Sequence, residues 1–246
     1  LGIVGVFVVA RKQVLFADGI AHSSLLGIAV SVVFSTPNSN FGSLLPSLIT
    51  AVCASVIITF VKQKTKSSFD SIIGVVYSIF FSLGILLVST KSSYVPELSS
   101  YLFGSILLSS KQQIYTTIFL LVILFMFLYK NYNKLVYFLF DKDAAKVRGV
   151  NVKLYTYITN IYIACAVVMG VNLIGLVLVT SMIVIGPLIG QILSSNFNKV
   201  FYYSIFCNVL FTILGLIMSY HLDTPSGATI VLLGGVCYLL LAVFKR

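Results

Sequence analysis

This 246-residue chain predicts an all-α fold, a polytopic transmembrane bundle of about eight or nine helices. Three observations lead there. Hydrophobic residues make up 59% of the sequence and charged residues only 9%, where a soluble domain carries roughly a quarter charged. Apolar runs of membrane-crossing length recur along the chain, divided by charged or turn-forming residues. The basic residues gather at alternate breaks between those runs. The same composition, with 19 Phe and 14 Tyr, excludes a disordered chain.

The first apolar run, 2 to 10, is half a span long and reads as the end of a longer helix. It precedes the basic pair Arg11-Lys12 instead of following one, which is not the order of a signal peptide. Complete runs follow at 14–34, 43–61, 70–89 and 112–129, and after a polar interval at 154–170, 173–193, 200–220 and 226–244. Turn chemistry marks the breaks at Thr36-Pro37-Asn38-Ser39-Asn40, Gly170-Val171-Asn172, Ser194-Ser195-Asn196 and Thr224-Pro225-Ser226-Gly227. The apolar stretch from Glu97 to Ser110, with Tyr101-Leu102-Phe103-Gly104-Ser105, is too short to cross and reads as a short helix lying on or dipping into the outer face. The whole chain, 1–246, reads as one transmembrane domain with a cytoplasmic interval at about 130–153.

A net charge of +10 suits either nucleic acid or membrane topology. The basic residues form no stripe interleaved with aromatics, so nucleic acid is set aside. If the first short helix runs from outside to inside, only Lys91 and Lys111 of the 16 basic residues fall outside. The N-terminus is then expected outside and the C-terminus inside. Cys53, Cys165, Cys207 and Cys237 lie in apolar runs with no CxxC and no paired His, as thiols serving as small apolar groups would.

Chemistry concentrates in few places. Of six acidic residues only Asp18 lies inside a span, and His22 follows four residues later. That spacing places carboxylate and imidazole one turn apart on one face, able to reach the same cation. Counting from position 14, Asp18 lies roughly 6 Å and His22 roughly 12 Å into the helix. Each charge held at depth costs about 3 kcal/mol, so the pair calls for an ion, a water-lined path or mutual pairing near the inner interface. Zn²⁺, Mn²⁺ and Fe²⁺ all accept these donors, and further ligands from another span, water or a second subunit are required. Gly19, Ala21, Ser23, Ser24 and Gly27 allow close helix approach or an aqueous lining.

The other histidine, His221, stands with Asp223 at the outer end of two helices, where the pair is an outer gate or an ordinary turn with Asp capping the next helix. Asp141 to Arg148 can form a short charged helix that Gly149 ends, a docking element for a partner or a solvated loop. Gly186-Pro187-Leu188-Ile189-Gly190 combines a GxxxG pair with a proline and reads as packing first and gating second. No GxxxxGK[ST] phosphate loop is present, so any ATP used must be bound by another polypeptide.

These pieces in this order resemble the permease subunits of zinc/manganese/iron-type ABC importers, and most closely the high-affinity zinc uptake branch. The likeness runs through Arg11-Lys12, Asp18 to Gly27, Tyr101 to Gly104, Asp141 to Val152, Asn172 to Gln191 and Ser219 to Val231. It implies a type II importer: a permease homodimer in the bacterial inner membrane, two ATPase subunits beneath it, and an extracytoplasmic metal-binding protein. It further implies that Asp18 and His22 contact the transported ion and that no cofactor is held permanently. Asp141, Asp143, Ala144, Ala145, Arg148 and Gly149 match the region that seats the ATPase. Leu26, where manganese and iron relatives often carry Pro, tilts the resemblance to zinc. The family's proline stands where Gly186 is, one position before Pro187, and its first helix is longer.

Two rivals follow from the same residues. One is an ion-coupled carrier using Asp18 as a proton relay without an ATPase. The other is an intramembrane metalloenzyme, disfavoured because a second His-rich motif is missing.

Overall fold

The computed structural model describes residues 1–34, 43–90, 111–140, 146, 147, 149 and 151–244. Among them the regular structure is all helix: α1 (Gly2–Ala10), α2 (Val14–Phe34), α3 (Leu44–Lys64), α4 (Phe69–Ser89), α5 (Lys111–Phe140), α6 (Val152–Ile174), α7 (Leu176–Leu193), α8 (Phe197–Leu222) and α9 (Ser226–Phe244). Eight segments, all but α1, are long and apolar enough to cross a membrane. Large apolar side chains are exposed on most of them, including Phe119 at 68%, Phe206 at 62% and Leu232 at 68%. Such faces suit lipid and not water.

The helix ends follow from local chemistry. The last turn of α1 closes with Gln13 N–H donating to Val8 O and Lys12 N–H to Val9 O, while Lys12 takes the left-handed conformation at φ 55°. That pairing is a Schellman stop, here made without glycine. Burial beside it pushes the Arg11 guanidinium down to about 10, which leaves it charged at neutral pH. Ser68 caps α4 by accepting from Ser71 N–H at 3.0 Å, and Asn196 caps α8 by accepting from Asn198 N–H at 3.0 Å. Asn151 does the same before α6, accepting from Leu154 N–H at 3.2 Å.

Two expectations need correction. The break expected at Gly170-Val171-Asn172 is absent, because α6 continues to Ile174 and the chain turns at Gly175, with φ 86° and ψ 161°. Only glycine tolerates that geometry readily. Gly170 instead makes room for a neighbour, since a Cβ there would lie 2.8 Å from Val179 Cγ2. The second correction concerns α5, which runs on to Phe140 through residues expected to open a cytoplasmic loop. The stretch 97–110 expected at the outer face and the turn expected at 36–40 lie outside the described residues.

The chain forms two compact units. In one, α1, α7, α8 and α9 pack around Leu178, Met182, Ile189, Cys207, Phe211 and Ile230. Gly215 lets α9 approach α8 here, because a Cβ would meet Ile230 Cα at 2.8 Å. The other unit comprises α2 to α5 with most of α6. Within it, Asn160 of α6 donates to the Thr59 hydroxyl of α3 at 2.8 Å, and Tyr155 of α6 faces Phe138 of α5. Cys165 and Cys237 are part-buried and Cys207 is buried, as expected of apolar thiols, but Cys53 is exposed on α3.

Candidate metal-binding site on α2

Helix α2 is the most enclosed of the spans. Its small residues explain why. Gly27 lies against the α3 backbone, where a Cβ would overlap Pro46 and Ser47, and Gly19 lies against Ile73 and Tyr77 of α4. Gly84 of α4 returns the contact, with a Cβ there reaching Leu26 Cα at 3.3 Å. Ser23 and Ser24 are fully buried and donate to their own helix, Ser23 to Gly19 O at 2.8 Å and Ser24 to Ala21 O at 2.7 Å. Of the two roles open to these serines, close approach is the one served, since their hydroxyl protons are already used.

What remains open on α2 is one strip. From Leu15 to Val30 every residue is buried except Leu15, Asp18, His22, Leu26 and Val30. Steps of three and four make these a single helix face. Both ionisable residues of the span stand on it, His22 with 30% and Asp18 with 46% of its side chain exposed.

His22 Nε2 and Asp18 Oδ2 are 3.9 Å apart. That separation is too long for a hydrogen bond. A tetrahedral ion with bonds near 2.0–2.2 Å would hold the two donors about 3.4 Å apart, so a small side-chain adjustment lets both bind one cation. Among the described residues no third His, Cys, Asp or Glu joins them. The His22 ring packs against two aromatic rings of α4, at 5.7 Å from Tyr77 and 6.1 Å from Phe81. No local pattern near His22 announced these neighbours, which lie more than fifty positions downstream.

The other expected sites fare differently. His221 and Asp223 are both exposed, and no ion pair joins them among the described residues. Asp223 closes α8 in the left-handed conformation at φ 49° instead of capping the helix that follows. The turn is held by Thr224 N–H donating to Ser219 O and by the Thr224 and Thr229 hydroxyls at 2.8 Å. In α7, a Cβ on Gly186 would overlap the Asn208 side chain and one on Gly190 would lie 2.9 Å from Val200 O, so both glycines serve the α8 contact. Pro187 cannot donate to Ile183 O, and α1 lies on that carbonyl through Gly5. Asn208 of α8 braces the same turn, donating to Met182 O at 3.0 Å. Asp141, Asp143, Ala144, Ala145 and Arg148 lie outside the described residues. Gly149, at φ 76°, donates its N–H to Lys146 O at 2.9 Å in a turn, and the helix expected before it, from Asp141 to Arg148, lies mostly outside the described residues.

Residues 1–245 match the model of a family described as the ABC 3 transport family. The chain belongs to that family. It is therefore a transport permease and not an enzyme, and family membership sets aside the carrier and metalloenzyme readings. The manganese transport system membrane protein MntC of Listeria monocytogenes is 28% identical, the match spanning 99% of this chain and 85% of that protein. The high-affinity zinc uptake system membrane protein ZnuB of Buchnera aphidicola is 26% identical, spanning 99% of this chain and 92% of that protein. The fold matches PsaBC from Streptococcus pneumoniae, solved in complex with Fab, with a TM-score of 0.84 over 98% of this chain and 84% of that one at 24% identity. Manganese and zinc names thus occur at similar identity, and the ABC 3 likeness does not separate the two ions. An ABC permease operates with ATP-binding subunits and a substrate-binding partner.

Proposed function

We propose that this chain is the membrane subunit of an ATP-driven importer of a divalent transition-metal ion, with Zn²⁺ as its cargo. The observation that carries the reading is the strip on α2: the span's two ionisable side chains share its open face, 3.9 Å apart and not hydrogen-bonded to each other. Holding an acid and an imidazole at that depth without closing them on each other is unfavourable unless a cation or water completes them. An imidazole nitrogen beside a carboxylate suits Zn²⁺, whereas Mn²⁺ favours all-oxygen surroundings. The named manganese relative supports Mn²⁺ as the second reading.

In this reading two copies of the chain form the pathway, and the second copy or water supplies the missing ligands. The segment containing Asp141, Asp143, Ala144, Ala145, Arg148 and Gly149 seats the ATPase on the cytoplasmic side. The chain lies in the bacterial inner membrane with its N-terminus outside and its C-terminus inside, which keeps all but Lys91 and Lys111 of the basic residues cytoplasmic. His221 and Asp223 lie at the outer surface as a turn. The test is uptake of Zn²⁺, Mn²⁺ and Fe²⁺ by the complex reconstituted with its ATPase and binding protein. ATP-dependent Zn²⁺ uptake that His22→Ala abolishes is the expected result. Preference for Mn²⁺ overturns the cargo, and uptake by the permease alone, without an ATPase, overturns the mechanism.

A further inference from the structure

A metal-binding histidine is ordinarily held in place by the hydrogen bond its other nitrogen makes to a carboxylate or carbonyl. His22 has no such brace among the described residues: Asp18 stands at 3.9 Å, and His22 takes part in no other polar contact. The torsion that turns an imidazole about its Cβ–Cγ bond has a broad minimum. Left alone, the ring would swing across the open strip and present its nitrogens in many directions. Packing holds it instead. Tyr77 and Phe81, one turn apart on α4, both contact the ring: Tyr77 inclined to it by 36° with centroids 5.7 Å apart, Phe81 nearly perpendicular at 89° and 6.1 Å. Both distances fall within the range of favourable aromatic contacts, and the Phe81 contact has the favoured edge-to-face inclination.

The cradle is itself fixed. Residues along α2 meet α4 in a steadily advancing order: Phe16 on Phe69 at 5.8 Å, Gly19 on Ile73, His22 on Tyr77 and Phe81, and Leu26 on Gly84. The two helices therefore run parallel. Gly19 and Gly84, on either side of His22, bring the backbones close enough that α4 cannot slide without a clash.

We propose that Tyr77 and Phe81 are positioning residues for the metal site: they hold the His22 imidazole with Nε2 beside Asp18, so that affinity for the ion depends on α4 as well as on α2. This rests on the reading of Asp18 and His22 as ligands of the cargo. The two aromatic rings do not contact the ion. They remove the orientational freedom that ligation would otherwise have to remove, which is how a preorganised site gains affinity.

The experiment uses the complete permease–ATPase complex in proteoliposomes, with Zn²⁺ alone as the probe, and compares half-saturating concentration with maximal rate. Tyr77→Leu and Phe81→Leu are each expected to raise half-saturating Zn²⁺ by about 10-fold, the low end of what loss of an orienting partner does to metal affinity. Maximal rate and the amount of assembled complex change little, and Tyr77→Phe, which keeps the ring, restores wild-type half-saturation. With Co²⁺ in place of Zn²⁺, the leucine variants shift the metal's visible absorption bands and Tyr77→Phe does not. If a leucine variant fails to assemble, Tyr77→Met, of comparable bulk and without a ring, takes its place in the same measurements. Half-saturation unchanged in the ringless variants, while His22→Ala still abolishes uptake, overturns the positioning role and leaves the metal site standing. Uptake unchanged in His22→Ala overturns the site itself, whatever the α4 variants do.

Discussion

The chain holds two histidine–aspartate pairs, and they have little in common beyond their residue types. Asp18 and His22 stand four apart inside a span, on the one open strip of its most enclosed helix, 3.9 Å from each other. His221 and Asp223 stand two apart where α8 ends, both exposed, with Asp223 shaping the backbone of a turn. In a helix a spacing of four points two side chains the same way and a spacing of two does not. Burial then separates them further: water solvates the exposed pair at the helix end at no cost, whereas the pair within the span must be compensated inside the bilayer. The contrast teaches that donor chemistry becomes a site only where geometry aims it and the surroundings leave it unsatisfied.

The sharpest way to break this comparison is to remove each imidazole in turn. His22→Ala is expected to reduce ATP-dependent metal uptake to background with the complex still assembled. His221→Ala, an exposed substitution, should leave uptake within about twofold. Equal losses in the two variants would erase the distinction.

The closed sides of α2 supply a second measurement. Gly27→Val drives a side chain into the α3 backbone at Pro46 and Ser47, which cannot rotate aside. A loss of at least the 1–3 kcal/mol typical of overpacking is expected, read as a lower thermal midpoint or failed assembly. Gly74→Ala on α4 meets nothing within 4 Å and should gain about 0.5–1 kcal/mol from helix propensity. If Gly27→Val were harmless, α2 would not be clamped and its open strip would lose its meaning.

At the helix-end pair the aspartate can be improved upon. Asp223 sits at φ 49° and ψ 41°, a conformation that costs an L residue about 1–2 kcal/mol relative to the right-handed helix and glycine almost nothing. Asp223→Gly should therefore stabilise the protein by about 1 kcal/mol in thermal unfolding and leave uptake unchanged. Asp18→Asn should do the reverse, keeping stability while uptake falls.

Much of this was legible in the sequence. The bounds of α1, α2 and α9 lie within a residue or two of the apolar runs at 2–10, 14–34 and 226–244, because charged and turn residues punctuate them sharply. The inner pair was legible too, since a four-residue spacing carries its geometry with it. The start of α7 was not. Gly-Val-Asn at 170–172 has turn chemistry, but in lipid a helix keeps its backbone satisfied through such residues, and the real break needed the special φ of Gly175. Tyr77 and Phe81 were invisible for another reason: their contact with His22 arises from the register of α2 on α4, which no local pattern encodes.

The smallest effect tests the other side of the same distinction, a buried polar pair that is satisfied. Asn160 donates to Thr59 Oγ1 at 2.8 Å, and Thr59 in turn donates to Ser55 O at 2.7 Å. Both residues are almost completely enclosed, at 1% and 2% exposure, so neither side chain can meet an ion passing along an open strip. Their role is to join α3 to α6. Hydrogen bonds between membrane helices contribute about 0.6 kcal/mol on average and at most about 1.7, because the unfolded chain in the bilayer finds other partners. A double-mutant cycle with Thr59→Val and Asn160→Leu should return a coupling of that size in unfolding, and half-saturating metal should stay within about twofold, the range for substitutions remote from a site. A large change in half-saturation at unchanged stability would show that polar groups inside this bundle act on the ion even when closed on each other, and the rule drawn from the two histidine–aspartate pairs would fail.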